Sequence, residues 1–195
     1  MRLPKDSFEI NKRKLLNAFP KDIKSDVKVV IDYLSDKNFD IHPTAQQEVI
    51  LNGEHLIIPS RVYFDKPTDF KSDDLTKQQK KILNCIYLRH HNGFVRQRQL
   101  KELKDNTEYF VIPFIFQLLG EYVIEILYDI DEHINERTIN NYVKFIRENE
   151  RYWQQTESRM ISYWNEYYRY PNFKRLNDYI GKRIFDMISQ WVEVR

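Results

Sequence analysis

Residues 109–133 run YFVIPFIFQLLGEYVIEILYDIDEH, and the fold class turns on this stretch. Its apolar part, Phe110 to Tyr128, is as long as a membrane span, but Gln117, Glu121 and Glu125 fall inside it, and carboxylates near a bilayer centre are costly. The pattern therefore predicts a buried helix from about Tyr109 to His133, with Pro113 confined to the first turn, where a missing N–H does no harm. On such a helix Gln117, Glu121, Glu125, Asp129 and His133 recur every four residues, forming one polar stripe on an otherwise apolar cylinder.

Helical periodicity continues on both sides. Ile139, Tyr142, Val143 and Ile146 mark an amphipathic helix from about Arg137 to Arg147; Trp153, Met160, Ile161, Trp164 and Tyr168 mark a longer one, which Pro171 must end. Leu176, Ile180, Ile184, Met187, Ile188 and Trp191 mark the last. Upstream, Thr76-Lys77-Gln78-Gln79 has the spacing of a capping box and starts a helix to about Arg89, with Ile82, Leu83 and Ile86 inward. Asn92-Gly93 then offers a left-handed stop, and another helix carries Val95, Leu100 and Leu103. Residues 1–40 are helical as well. Pro20 interrupts them after Leu15, Leu16 and Phe19, and Ile23, Val27, Val30, Ile31 and Leu34 then repeat at three and four.

The period changes once, at EVILNGEHLII, residues 48–58. Asn-Gly between two apolar runs signals a hairpin, because both turn residues tolerate positive φ. Counting back from a two-residue loop pairs Leu51 with Glu54 and Val49 with Leu56, leaving Ile50, His55 and Ile57 on the other face. Pro59 ends the second strand, and Arg61–Phe64 would add a third. Residues 65–74, with Pro67 and four aspartates, predict a linker.

The 195 residues carry 31 Lys and Arg against 29 Asp and Glu, a formal charge of +2 that nominates no partner. A hydrophobic share of 42% with 31% charged residues, at a mean hydropathy of −0.67, speaks against disordered, collagen-like and membrane classes. The expected architecture is mainly α: a multi-helix bundle or short solenoid-like array with a small N-terminal β-hairpin. Residues 1–74 would hold the first helices and the hairpin, and residues 75–195 the helical domain, packed as one globular unit. One cysteine, Cys85, cannot close an intrachain disulfide, and the N-terminus carries charges where a signal peptide needs an apolar stretch, so the expected compartment is the cytoplasm. Only four glycines are present, with no Walker-type loop, no GxGxxG and no GxSxG. Nucleotide-dependent chemistry is thereby disfavoured and no cofactor is expected.

The segment NGFVRQRQL, residues 92–100, resembles the turn and second helix of a HEAT-type helical repeat, in which a Val-Arg pair follows a short inter-helix turn. The resemblance covers one helix pair, Thr76 to Asp105. It implies a solenoid-like helical fold.

Charge is segregated along the chain. Residues 77–104 hold eight basic groups against Glu102 alone, whereas residues 105–136 hold eight acidic groups and no Lys or Arg. Rim pairing between neighbouring helices is the plain explanation, and a pole steering a charged partner is the functional one. Buried carboxylates are costly, so Glu121 and Glu125, beside Gln117, either meet cations such as Arg96, Arg98 or Arg159 or face a cavity. Neither Glu has a His three residues on, which argues against a carboxylate-bridged metal site. Of the vicinal His90 and His91, one is expected to favour a helix C-terminus and the other to be exposed. Cys85 is expected to be buried and inert.

The C-terminal third interleaves rings with basic groups. Met160, Ile161, Trp164 and Tyr168 fit one inward stripe, but Tyr163, Tyr167 and Tyr170 fall on another arc beside Arg169, which makes these four the candidate partner-binding residues. Rings and guanidinium groups suit single-stranded nucleic acid or a protein interface. Residues 137–195 carry eleven basic and seven acidic groups, too small a surplus for a nucleic-acid domain. The expectation is a non-catalytic module binding another protein. The two competing classes are an enzyme built on the Glu121 and Glu125 carboxylates and a single-strand binder.

Overall fold

The computed structural model describes residues 5–36, 42–64, 74–170 and 172–194. Mainly helical with a small antiparallel hairpin, as the periodicity predicts, the chain divides into two compact units, Met1–Gln99 and Leu100–Arg195. The linker expected at 65–74 lies, apart from Asp74, outside the described residues, as does Pro171.

In the first unit α1 (Lys5–Leu16) and α2 (Lys24–Asp36) are separated by a 3-10 turn, Lys21–Ile23, that begins straight after Pro20. Leu15, Phe19, Val27, Val30, Ile31 and Leu34 are buried, each contributing roughly 1.5–3 kcal/mol. Helices of this length are marginal alone, so their packing on each other is what holds them. The hairpin has the expected register: β2 (Gln46–Leu51) and β3 (Glu54–Pro59) pair Leu51 with Glu54 and Val49 with Leu56. Asn52 and Gly53 take φ of 53° and 77°. Val49, Leu51, Leu56 and Ile58 form the buried face, and on the other face His55 Nδ1 meets Glu48 Oε1 at 2.8 Å.

The third strand is different from expectation. Short β1 (His42–Pro43) precedes the hairpin, and β4 (Val62–Tyr63) pairs with β1 rather than lying beside β2 or β3. Gln46 faces Pro59 and Pro43 faces Val62, so β1 and β4 prolong the same two-stranded ribbon in unchanged register. Between them Thr44 N–H donates to the Arg61 carbonyl at 2.9 Å and Ser60 N–H to the Ala45 carbonyl at 2.6 Å.

Helix α3 (Lys77–Tyr87) starts at the predicted capping box: Gln79 N–H donates to Thr76 Oγ1 at 3.2 Å and Thr76 N–H to Gln79 Oε1 at 3.0 Å. It packs on α2, where Gln79 Nε2 also reaches Asp26 Oδ1 at 2.8 Å. Asn92-Gly93 is not a left-handed stop. Among the described residues positive φ occurs only at Asn52 and Gly53; Asn92 instead caps α4 (Gly93–Glu102), its Oδ1 accepting from Phe94 N–H at 2.9 Å. An Asn side chain that satisfies an orphan N–H serves a helix start as well as its backbone serves a stop.

The second unit corrects the reading of residues 109–133. The chain forms a 3-10 turn (Tyr109–Val111), α5 (Ile112–Phe116) with Pro113 in its first turn, a second 3-10 segment (Gln117–Gly120), an extended Glu121 and then α6 (Ile124–His133). Residues 111–120 are all buried, so no solvent-facing side imposes a helical period on them. The break comes where Gly120, about 1 kcal/mol poorer than Ala in a helix, is followed shortly by β-branched Val123 and Ile124. Downstream lie α7 (Ile139–Glu148), α8 (Glu150–Tyr163), a π-helical turn (Trp164–Tyr168), a 3-10 turn (Leu176–Asp178) and α9 (Ile180–Val194). Helix α7 packs on α5 and α9, and α8 on the 117–120 segment. The Phe116 ring sits among Phe145, Tyr152 and Trp153, with centroids 4.9–5.8 Å away.

Candidate interaction surface

The polar stripe dissolves with the helix that was to carry it. Gln117 and Glu121 are buried, whereas Glu125 is exposed in the first turn of α6. The two carboxylates thus stand on different elements in different environments. Arg96 is buried in α4 of the first unit, where Nη1 donates to the carbonyls of His90 and His91 at 2.8 and 2.9 Å; Arg98 is exposed. Among the described residues no three His, Cys, Asp or Glu side chains are grouped so as to hold a metal ion, and none of the helices is long and apolar enough to cross a membrane.

The buried histidines belong to the scaffold. His90 Nε2 donates to the Phe64 carbonyl at 3.1 Å while Nδ1 accepts from Asn92 N–H at 3.0 Å. Burial first, then the neighbouring His91, lowers its pKa to about 4. Beside it Val62 N–H donates to the Arg89 carbonyl and His91 N–H to the Val62 carbonyl, tying β4 to the α3–α4 turn. His91 is the exposed partner, stacked on Tyr63 at 5.1 Å. In the second unit His133 Nε2 donates to the Asn106 carbonyl at 3.2 Å and Nδ1 accepts from Tyr142 Oη at 3.0 Å; burial lowers its pKa to about 4. Cys85 is buried and free of any disulfide.

The opposite charge runs meet, in part, within the second unit. Lys104 Nζ lies 2.7 Å from Glu132 Oε2, Lys101 Nζ 3.8 Å from Asp129 Oδ1, and Arg137 Nη2 2.7 Å from Asp105 Oδ1. These are largely exposed pairs that solvent screens, and they leave Glu125 on the solvent side of α6.

Three tyrosines make the conspicuous surface feature. Tyr122, in the extended lead into α6, lies 6.0 Å from Tyr163 and 5.9 Å from Tyr167 between ring centroids, and Tyr163 and Tyr167 are 6.0 Å apart. Tyr122 is 48% exposed, Tyr167 51% and Tyr170 80%, while Tyr163 is half-buried at the end of α8. The π-helical turn shapes the site: Arg169 N–H donates to the Trp164 carbonyl at 2.8 Å, five residues back. The extra residue rotates the downstream side chains by about 100° relative to an α-helix. Tyr168 turns to hydrogen-bond its hydroxyl to the Tyr122 carbonyl and stacks on buried Tyr179 at 5.4 Å. Trp164 Nε1 donates to the Phe173 carbonyl at 2.9 Å. Burial, with the Glu125 and Tyr122 charges behind it, raises the Tyr168 pKa against the opposing Ile124 hydrogen bond. The phenol therefore stays protonated and remains a donor to Tyr122.

Of the residues singled out in sequence, Tyr163 and Tyr167 are brought together, while Arg169 and Tyr170 meet each other rather than that pair. The Arg169 guanidinium lies 5.5 Å from both the Trp164 and Tyr170 ring centres, and its Nη1 donates to Asn165 Oδ1 at 2.9 Å. Sequence reasoning missed Tyr122, since a continuous helix would have hidden it in an apolar face. The signal available was Gly120. A second concavity, a groove of about 470 Å³ between α1 and α2, has an apolar floor of Ile10, Leu16 and Ile31 and is flanked by the Lys12–Asp32 pair.

No protein-family model, curated protein or solved structure matches this chain.

Proposed function

We propose that the protein is a non-catalytic, cytoplasmic interaction module, an adaptor, regulator or inhibitor that binds another protein through the Tyr122, Tyr163 and Tyr167 surface. The observation carrying this reading is the mutual contact of three tyrosine rings at solvent. Tyrosine supplies a large amphipathic contact area with two rotatable bonds to fix, which is why it dominates interface hot spots. Here the backbone beneath is already held by the Tyr168 bond to Tyr122 and the Trp164 bond to Phe173, so little ordering remains to oppose association.

The separation of buried Glu121 from exposed Glu125 weighs against the enzyme reading, which needs two groups converging on one reacting atom. Glu166 in the π-helical turn, exposed beside Tyr167, weighs against a phosphate backbone as occupant. The test is affinity capture with the full chain as bait from an extract of the cells that make it. A partner polypeptide recovered by the native protein and lost with the triple variant Tyr163→Ala, Tyr167→Ala, Arg169→Ala is the expected outcome. Unchanged recovery by that variant contradicts the reading.

A further inference from the structure

The tyrosine surface has a geometry that selects a charge. Centroid separations of 6.0, 5.9 and 6.0 Å make a nearly equilateral triangle. Its centre is thus about 3.5 Å from each centroid, and a cation raised about 3.5 Å above it is about 5 Å from all three, within the roughly 6 Å reach of a ring quadrupole. The rings are tilted by 60°, 41° and 34° to one another, so they do not stack.

Carboxylates reinforce the preference. Glu125, near enough for its charge to act on the Tyr168 phenol, and Glu166, next to Tyr167, are both exposed, and neither has an ion-pair partner among the described residues. Of the region's cations, Arg169 is turned over Trp164 and Tyr170, and Arg159 lies across Gly120.

We infer that the triangle formed by Tyr122, Tyr163 and Tyr167 receives a cationic side chain, Arg or Lys, from a basic segment of the partner protein. This rests on the interaction reading above and supplies the partner's chemistry. Ring faces attract the cation, and the two carboxylates add Coulomb energy.

The test is a titration of the full chain, carrying ¹³C-labelled tyrosine rings, with hexa-arginine, hexa-serine and hexathymidylate at fixed ionic strength. Hexa-arginine alone is expected to shift the Tyr122, Tyr163 and Tyr167 signals saturably. Tyr122→Ala with Tyr167→Ala is expected to weaken its binding roughly ten-fold or more, while Tyr122→Phe with Tyr167→Phe, which keeps the ring faces, stays within about three-fold. Both positions are half exposed, and the bond to Tyr168 uses the Tyr122 main chain, so these variants keep the fold. Shifts confined to other tyrosines, an equal response to hexa-serine or the oligonucleotide, or native affinity in the Ala variant would each overturn the inference. If capture of a partner depends on these tyrosines while hexa-arginine leaves them unmoved, the surface stands as a docking site and only its cation preference falls.

Discussion

Two glycines show how single atoms set the packing beneath the tyrosine surface. A Cβ on Gly181 would stand 2.7 Å from Tyr179 Cε1 and 2.8 Å from Met160 Cγ, both in the buried core, whereas one on Gly120 would meet Arg159 Cδ at 3.1 Å, on a flexible side chain. Gly181→Ala is therefore expected to cost about 1–3 kcal/mol and Gly120→Ala distinctly less, as urea unfolding of the two variants will compare. Neither role is legible in sequence, because what a glycine makes room for comes from residues distant along the chain. Tyr163 and Tyr167 are legible as an outward arc of a helix. Their third partner is not, since Tyr122 joins them only after the chain breaks at Glu121.

At the scale of elements, legibility tracks the range of the forces involved. The hairpin register and the α3 capping box are fixed by side chains within a few positions of each other, and both stand as the sequence predicts. Thr76→Ala removes the hydroxyl that accepts from Gln79 N–H and is expected to lower stability by about 1 kcal/mol, read as a fall in the urea midpoint. Gly53 sits at φ +77° with open space around it, so Gly53→Ala is expected to cost about 1–2 kcal/mol through backbone strain alone. Residues 109–133 depart from the predicted single helix for the opposite reason. Its residues 111–120, buried on every side, have no polar face to mark a period, and the segment's division into α5, a 3-10 segment and α6 follows neighbours such as Phe145, Tyr152 and Arg159. The π-helical turn at Trp164–Tyr168 is likewise a tertiary outcome, secured by the bond from Tyr168 to Tyr122 and that from Trp164 to Phe173.

At the scale of the molecule, two buried neutral histidines among the described residues, His90 in the first unit and His133 in the second, have the pKa lowered to about 4. The unfolded chain binds those protons near pH 6.5. Stability is thus level with respect to these groups above about pH 6.5. It falls as pH drops towards 4, because only the unfolded state takes up protons in that window, and the loss levels off once the folded state protonates too. Unfolding free energies from urea titration are expected to decline between pH 6.5 and 4, by on the order of 3 kcal/mol for His133 and less for the more screened His90; a flat profile would contradict this assignment. The segregated charge runs are plain in the sequence, but their meaning is not. Pairs such as Lys104–Glu132 occupy part of the acidic run and leave Glu125 to the tyrosine surface. The most direct measurement is photo-cross-linking with p-benzoylphenylalanine replacing Tyr170, an 80% exposed ring three residues after Tyr167, followed by mass spectrometry of the adducts. The account predicts adducts with a Lys- or Arg-bearing segment of another polypeptide, abolished by Tyr122→Ala with Tyr167→Ala. Adducts that persist in that variant, or that map only to acidic or apolar segments, would contradict it.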